Sequence, residues 1–336
     1  MRSLSSPSMS FFAVLIALLI EQLKPLPRDN WVHHRLVTWV GWVGRNFDAG
    51  RPIHVWVVWC VSVLTPTLLV ALAYLGIGHY SLVLALVFDV AVLYVTLGFR
   101  QFSHYFTDLR DALDNGDDNE VRRLLAEWLH LDASELPHTE MLRHVVEHAL
   151  LAAHRHVFGV FFWFIVCSAL GMGPAGAVLY RLAEFVRRYW AYRLRALDAP
   201  DNDRLLDVSR HVFGLIDAVP ARLTAFGFAV VGNFEEAINA WRRDARLWQQ
   251  PNEGIILAAA AGAVGVQLGG AAAPGVTPDR SKTFSGGAAG AGSAEGSTAG
   301  ALLHSLHLQS IVGLVWRSVV LWMLLLALLT LANILG

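Results

Sequence analysis

The sequence predicts an all-α fold: a polytopic membrane helical bundle with a broken or re-entrant helical element and additional cytoplasmic helices. Only 16% of the 336 residues are charged and 55% are apolar, whereas soluble domains carry about 25% charged residues. Several apolar runs are long enough to cross a hydrocarbon core of about 30 Å at about 1.5 Å per helical residue. One such run, 157–180, is interrupted by glycines and a proline, which predicts a break at membrane depth.

The N-terminal part predicts an anchor helix followed by an interfacial segment. Residues 1–24 contain an apolar run at 10–20 with no A-x-A cleavage site after it, which favours an uncleaved anchor helix over a signal peptide. Residues 25–54 place Trp31 and Trp39 at helical spacing among histidines and arginines. Tryptophan beside arginine is typical of the headgroup level, so we expect an amphipathic interfacial helix in this segment.

Residues 55–99 predict a transmembrane hairpin. Two apolar runs are separated by a short turn that contains glycine, so the two helices are expected to lie antiparallel. Pro66 is expected to kink the first helix. Asp89 lies inside the second helix, and an acid inside a span marks either a functional site that faces the bundle or a hydrogen-bonded structural acid. Both alternatives stay open at this point.

Residues 100–156 predict a soluble, acidic helical loop, because they contain eleven acidic residues, six arginines and no lysine. Within it, His144, Glu147 and His148 match the pattern H-x-x-E-H, which places two histidines on one helix face where both can reach a zinc ion. A zinc site also needs a third ligand and a cleft, and histidine is common in this chain, with 14 residues. We therefore predict a polar helix face and no metal site.

Residues 157–250 predict a membrane core built from broken helices. Gly173, Pro174 and Gly176 interrupt the uncharged run 157–180. The run is therefore either a kinked spanning helix or two half-helices that meet at a packed loop. We assign these residues a structural role in breaking the helix and allowing close packing. Arginine counts on both sides of the run favour a re-entrant hairpin with cytoplasmic flanks.

A second broken or interfacial element is predicted over 208–231. Pro220 lies near its middle, between Asp217 and Arg222. Charges at this depth are costly in lipid unless they pair or face a cavity, so this element is the expected partner of the first. We assign Pro220 a structural role as a helix breaker.

The remaining residues predict a linker and a final span. Residues 251–305 are rich in alanine, glycine and serine and contain no phosphate-loop pattern, so we predict a low-complexity linker. Residues 306–336 predict a C-terminal transmembrane helix. Cys60 and Cys167 both lie inside apolar runs, so we expect neither a disulfide nor a metal site from them.

Two motifs carry a resemblance to a known group. One is P-x-G-A-x-x-Y-R, which runs from Pro174 to Arg181 after the pair Phe162-Trp163; the other is V-P-A-R-L-T-A at 219–225. On these residues the chain resembles the CobD/CbiB family of cobalamin biosynthesis, over most of its length except roughly 250–305. The resemblance implies a polytopic protein that joins an amino-alcohol phosphate to adenosylcobyric acid with ATP.

The chain departs from that family at its polar motifs. The enzymes carry E-N-x-x-D-G before the F-W pair, where residues 151–156 are L-A-A-H-R-H. They carry N-T-x-D after the Y-R, where Glu184 and Arg187 take the Asn and Asp places. They carry R-x-D-D before the P-A-R, where residues 211–214 are H-V-F-G. Acid and amide groups of this kind hold Mg²⁺ and phosphate, so the departures imply that the synthase motifs are lost.

The chain is more similar still to the AmpE branch of the same superfamily. The similarity lies in F-F-A-V-L-I-A-L-L-I-E-Q-L at 11–23, D-x-W-x-x-H-R-L at 29–36 and E-x-A-x-x-A-W at 235–241. It implies a regulatory or signalling protein linked to cell-wall stress and β-lactamase induction, without an assigned reaction. The alternative is an adenosylcobinamide-phosphate synthase of the CobD/CbiB type. A transporter is a third hypothesis, although no inverted repeat is visible.

We expect a single cavity lined by five residues: Trp163, Tyr180, Arg181, Asp217 and Arg222. No cofactor and no metal are predicted. The expected location is the bacterial cytoplasmic (inner) membrane, with several passes. The expected partners are the lipid bilayer and a membrane protein, whereas the absence of a basic face argues against nucleic acid. The small-molecule ligand stays unknown at this point.

Overall fold

The computed structural model describes residues 7–23, 31–47, 52–97, 112, 115, 118–129, 138–197, 203–269 and 298–335. The helices in chain order are α1 (Pro7–Leu23), α2 (Trp31–Phe47), α3 (Pro52–Tyr80), α4 (Leu82–Thr96), α5 (Asp118–Leu129), α6 (His138–Ala153), α7 (Gly159–Ala169), α8 (Ala175–Leu197), α9 (Asp203–Val231), α10 (Phe234–Asp244), α11 (Pro251–Val264) and α12 (Ser305–Leu335). A π-helical turn, His154–Phe158, joins α6 to α7. Within these residues there is no strand, only an isolated bridge between Val266 and Ala301.

The helices confirm the predicted all-α polytopic membrane bundle. The helical stretches long and apolar enough to cross a membrane are Ile53–Tyr80, Glu140–Ala169, Arg204–Val231 and His307–Ala332. Shorter apolar helices cover Ser10–Leu23 and Leu82–Thr96. The predicted boundary at residue 156 differs from the structure, because α6 continues through the π-helical turn into α7 as one helical run. Most of the predicted acidic loop before α6 lies outside the described residues.

The chain divides into two compact units. The first unit combines residues 1–101, 155–217 and 322–336, and the second combines 102–154 and 218–321. In the first unit, α3 packs against α2, α4 and α8, while α1 packs against α4 and α7. In the second unit, α11 packs against α10 and α6.

The predicted break in the uncharged run 157–180 is a tight turn between two helices. α7 ends at Ala169, and Gly171 and Gly173 then adopt positive φ angles of 80° and 55° before α8 begins. A Cβ atom at Gly176 would lie 1.9 Å from the backbone oxygen of Trp163, so α7 and α8 approach too closely for any side chain there. Of the two alternatives for this segment, the structure has two helices that meet at a packed turn.

The second predicted break does not occur. α9 continues from Asp203 to Val231 with Pro220 inside it. Proline has no N–H, so the carbonyl of Ile216, four residues earlier, loses its helical donor. The indole Nε1 of Trp163 donates to that oxygen at 3.1 Å and replaces the missing hydrogen bond. The helix therefore remains continuous through the proline, and the prediction of a broken element over 208–231 is wrong.

A matching arrangement occurs in α3. Pro66 lies inside this helix, and the carbonyl freed by it belongs to Ser62. The indole Nε1 of Trp39, on α2, donates to this oxygen at 3.3 Å. At each of these two prolines, a tryptophan of a neighbouring helix thus donates to the carbonyl that has lost its helical donor.

The predicted linker over 251–305 differs from the structure at its start. Residues 251–264 form α11, with nearly every side chain after its first turn buried. Its small residues allow close packing: a Cβ atom at Gly262 would lie 2.4 Å from the backbone oxygen of Glu236 on α10. Alanine and glycine contribute little free energy when they are buried, but their small size lets two helix backbones approach closely. The composition of the segment alone did not predict this close packing. Residues 270–297 of the predicted linker lie outside the described residues.

Candidate functional site

A buried tyrosine–aspartate pair lies at the centre of the first unit. The hydroxyl of Tyr180, on α8, donates to Asp217 Oδ1, on α9, at 2.7 Å. Both side chains are buried. Gly159, on α7, makes room for the ring, because a Cβ atom there would lie 2.2 Å from Tyr180 Cζ. The pair thus depends on a glycine of the neighbouring helix, and its phenol is held in one orientation by the carboxylate.

Trp163 lies next to this pair. Its indole donates to the carbonyl of Ile216, the residue before Asp217. The structure therefore brings three of the five predicted cavity residues, Trp163, Tyr180 and Asp217, to adjoining positions on α7, α8 and α9. The tryptophan satisfies the backbone exposed by Pro220, so it also fixes the segment of α9 that carries Asp217.

A group of arginines surrounds one glutamate in the same unit; we call it the arginine cluster (Arg155, Arg181, Arg187 and Arg188 around Glu184). Arg188 Nε lies 2.6 Å from Glu184 Oε1, and Arg181 Nη1 lies 3.2 Å from Glu184 Oε2. Arg155 and Arg187 also act electrostatically on this carboxylate. Glu184 is 1% exposed, and Arg155, Arg187 and Arg188 are each 6% exposed.

The charge balance sets the ionisation of Glu184, whose helix α8 is not among the four stretches able to cross a membrane. Burial alone raises the pKa of a carboxyl group, because it penalises the charged form. The guanidinium groups of the cluster outweigh burial and hold the pKa of Glu184 below its usual value. Glu184 is therefore an ionised carboxylate shared among several cations.

The arginine cluster adjoins the tyrosine–aspartate pair. Tyr180 lies in the field of both Arg155 and Glu184. The guanidinium of Arg187 lies 5.0 Å from the ring centroid of Phe213, and the same ring lies 5.6 Å from that of Tyr180. The arginine cluster and the tyrosine–aspartate pair thus form one polar centre inside the first unit.

Sequence reasoning singled out Arg181 but missed Arg155, Glu184, Arg187 and Arg188 as site residues. The spacing of residues 181, 184 and 188 along α8 does contain a signal, since positions three and four apart share one helix face. The part played by Arg155 has no such signal, because it comes from the π-helical turn, far from α8 in the chain.

Arg222 has a different environment from the one predicted. Its Nη1 donates to the carbonyl of Ala218, one turn earlier on α9, at 2.6 Å, and this contact is exposed. The prediction that Arg222 lines a cavity together with the other four residues gains no support from these contacts.

Asp89 and the H-x-x-E-H residues also have defined surroundings. Asp89 is buried on α4, and its carboxylate acts electrostatically on Tyr74. In the second unit, Glu147 Oε1 accepts a hydrogen bond from Gly269 N at 2.7 Å, while Arg143 Nη1 donates to Gly269 O at 2.8 Å. Arg143 also pairs with Glu140 and lies 3.8 Å from Glu147. We call this group the Gly269 clamp (Glu140, Arg143, Glu147 and Gly269). Glu147 is therefore committed to structural contacts.

Among the described residues, no three His, Cys, Asp or Glu side chains lie close enough together to hold a metal ion. Magnesium is the ion that the family's acidic motifs would hold. In the polar centre, Arg187 takes the place of one of those acids. In the window 151–156, Arg155 takes the place of another. Guanidinium groups repel cations, so the residues present do not fit a divalent metal.

Comparison with known proteins finds similarity to one protein family over most of the chain. The family model described as "CobD/Cbib protein" matches residues 11–295. The chain is 33% identical over 326 residues to "Cobalamin biosynthesis protein CobD" of Stutzerimonas stutzeri, covering 94% of this chain and 96% of that protein. It is 33% identical over 192 residues to the protein of the same name from Chromobacterium violaceum, covering 56% and 57% of the two chains. No solved structure matches the chain.

The AmpE branch is represented by a weaker similarity. "Protein AmpE" of Shigella flexneri is 26% identical over 236 residues, covering 69% of this chain and 78% of that protein. The prediction of an AmpE-like regulator is therefore wrong: the similarity to CobD proteins is higher in identity and extends over nearly the whole chain. Together with the apolar helices, the family identifies a multi-pass protein of the bacterial inner membrane.

Proposed function

Because the chain belongs to the CobD/CbiB family, we propose that it is a membrane-embedded synthase of cobalamin biosynthesis. The reaction is the one that the resemblance implies, in which an amino-alcohol phosphate is joined to adenosylcobyric acid with ATP. The observation that carries the proposal is the 33% identity to a CobD protein over 94% of this chain and 96% of that relative. A match of this extent covers the whole fold, including the helices that carry the polar centre.

The tyrosine–aspartate pair is the part of the site suited to proton transfer. Joining an amine to a carboxyl group releases a proton from the amine, and a buried carboxylate can accept it. Asp217 already accepts the hydroxyl proton of Tyr180 in a hydrogen bond, so the phenol can orient the carboxylate and relay a proton. We assign Asp217 the role of candidate base and Tyr180 that of positioning residue. Trp163 supports the backbone next to Asp217.

No step of this proposal passes through a metal ion held by the chain, since the residues of the polar centre do not fit one. The departures at the family's acidic motifs then have a different meaning. They replace acidic side chains with other residues, while the motif that contains Tyr180 remains and Tyr180 donates to Asp217.

The test is complementation of a cobalamin auxotroph that lacks its own CobD-type synthase. Growth on adenosylcobyric acid is the expected result, and growth of the untransformed host on cobinamide controls for the later steps. Asp217→Asn should lower the rate of product formation in isolated membranes by about 10²-fold, the scale of a general base. Asp207→Asn, an exposed acid on the same helix, is the matched control and should match wild type. Failure of wild type to grow, with the protein present in membranes, would overturn the proposal.

A further inference from the structure

We propose that the outer face of α2 is a binding surface for the headgroups of anionic phospholipids. We call this face the α2 stripe (Trp31, Arg35, Thr38, Trp42 and Arg45). This lipid surface is separate from the reaction and does not depend on the proposed function.

The inner face of α2 is fixed against its neighbours in the first unit. A Cβ atom at Gly41 would lie 2.8 Å from the hydroxyl oxygen of Tyr189, and one at Gly44 would lie 2.6 Å from Trp190 Cη2. Side chains of α8 therefore pack directly on the backbone of α2. The hydrogen bond from the indole of Trp39 ties the same helix to α3. These contacts set the rotation of α2 about its axis, and with it the direction of its outer face.

The outer face of α2 carries tryptophan and arginine at helical spacing. The members of the α2 stripe follow one another at intervals of four, three, four and three residues, so they share one side of the helix. All five are exposed; Trp31 is 74% exposed and Trp42 is 44% exposed. Exposed tryptophan beside arginine is typical of the headgroup level of a membrane. In that position the indole rings lie against the upper acyl chains, and the guanidinium groups reach the phosphates.

The charge of this region is positive. Neither α2 nor α3, which packs against it, contains an aspartate or a glutamate. On α8 the acid is Glu184, which the arginine cluster shares. Over the wider range 24–54, five basic residues outnumber two acids, Asp29 and Asp48, which lie outside the described residues. A guanidinium fork binds two phosphate oxygens at once, so the charge of the α2 stripe fits a layer of headgroup phosphates.

The position of α2 in the chain favours lipid over a partner that is dissolved in water. Residues 48–51 are the whole connection between α2 and α3. The stretch Ile53–Tyr80 of α3 is long and apolar enough to cross a membrane. The C-terminal end of α2 therefore lies close to the point where this span begins, which is the level of the headgroups.

The experiment places a reporter inside the α2 stripe. Thr38→Cys is labelled with bimane in a background in which both cysteines of the chain, Cys60 and Cys167, are replaced by alanine. The full-length protein is reconstituted into phosphatidylcholine vesicles that contain increasing amounts of a quencher. The quencher is phosphatidylglycerol or phosphatidylcholine with a nitroxide near the headgroup end of one acyl chain. We expect stronger quenching by phosphatidylglycerol, and sodium chloride at about 0.5 M should reduce the difference.

The variants test whether the arginines cause this preference. Arg35→Gln combined with Arg45→Gln should lower the preference for phosphatidylglycerol by at least about fivefold, which is the contribution of one arginine near an anionic surface. Arg242→Gln combined with Arg246→Gln is the matched control, because both arginines are exposed but lie in the second unit, and the preference should stay at the wild-type value. Lysine at positions 35 and 45 keeps the charge and should retain most of the preference.

Three results would overturn the proposal. The first is equal quenching of wild type by the two lipids, and the second is a loss in the lysine variant as large as in the glutamine variant. The third is quenching by neither lipid, which would place the α2 stripe in contact with water or with a protein. Thermal unfolding in neutral detergent should be the same for all variants, because the replaced side chains are exposed.

The outcome is separable from that of the proposed function. A preference for phosphatidylglycerol without complementation would leave the lipid surface in a protein that lacks the reaction. Complementation without the preference would leave the synthase in place and remove the lipid surface.

Discussion

In the second unit, Arg143 lies between two acids, whereas in the first unit four arginines lie around one. The Gly269 clamp is balanced: Glu140 and Glu147 face Arg143, and the backbone N–H and C=O of Gly269 complete the group. In the arginine cluster, Glu184 is shared among Arg155, Arg181, Arg187 and Arg188. Both groups consist of arginine and glutamate side chains, most of which are buried.

The comparison teaches that the balance of charge, more than the presence of charge, separates a structural group from a candidate binding group. In the clamp, the protein itself supplies the counter-charges and the hydrogen bonds, and the product is a fixed loop at Gly269. In the cluster, the one carboxylate of Glu184 is shared among several guanidinium groups.

The largest effect is expected for Glu184→Gln. This change leaves the buried guanidinium groups without their shared carboxylate and should cost about 3–5 kcal/mol of stability. Added phosphate should recover part of the loss, because it replaces the missing negative charge. Thermal unfolding with and without phosphate measures both effects, and Glu235→Gln, an exposed glutamate on α10, is the control. A variant as stable as wild type would show that the cluster does not depend on this acid.

A somewhat smaller effect is expected for Arg143→Met. It leaves Glu147 buried without its cation and removes the donor to Gly269 O, which should cost about 2–4 kcal/mol. The side chain of Glu140 is 26% exposed, and water can screen part of the loss. Phosphate should not rescue this variant, because the charge removed is positive. Equal rescue of Arg143→Met and Glu184→Gln by phosphate would erase the distinction between the two groups.

A buried neutral group must likewise find its hydrogen-bond partner within the protein, and Trp163 provides the test. Trp163→Phe leaves the Ile216 carbonyl without a donor and should cost about 1–3 kcal/mol. In a Pro220→Ala background the alanine N–H can bond to this oxygen, so the hydrogen-bond part of the cost should disappear. A double-mutant cycle measured by thermal unfolding gives the coupling. Additive effects of the two substitutions would contradict this account of α9.

The smallest effect is expected for Arg187→Gln in the absence of phosphate. Glu184 keeps its contacts with Arg181 and Arg188 in this variant, and repulsion among the guanidinium groups is reduced, so stability should stay within about 1 kcal/mol of wild type. The measurement is thermal unfolding in chloride. A loss as large as that of Arg143→Met would indicate that Arg187 is held by balanced contacts, as in the clamp.

Local patterns in the sequence predict much of the fold. The α7–α8 turn follows from Gly171, Gly173 and Pro174, since the need for positive φ and the missing donor are properties of those residues themselves. The continuity of α9 could not be predicted in this way, because the donor that compensates Pro220 is Trp163, which lies 53 residues before the Ile216 carbonyl that it bonds. Likewise, the buried helix α11 depends on the close approach of α10, which its alanine-rich composition does not reveal.

The candidate site was predictable only in part, for a similar reason. Tyr180 and Arg181 belong to a motif that marks the family, and Tyr180 forms a hydrogen bond with Asp217 in the structure. The arginine cluster depends on Arg155, which meets α8 only after folding. The loss of acidic motifs suggested a protein without the family's chemistry, because a sequence shows what has been replaced but not which replacements come together in space.

The most direct test of the account is growth of the CobD-deficient auxotroph on adenosylcobyric acid with three forms of this protein: wild type, Arg187→Gln and Arg193→Gln. All three should accumulate equally in membranes. The account predicts growth with wild type and Arg193→Gln and strongly reduced growth with Arg187→Gln. Growth of Arg187→Gln at the wild-type rate would show that Arg187 takes no part in the reaction. Failure of all three, with cobinamide still supporting the host, would contradict the synthase assignment itself.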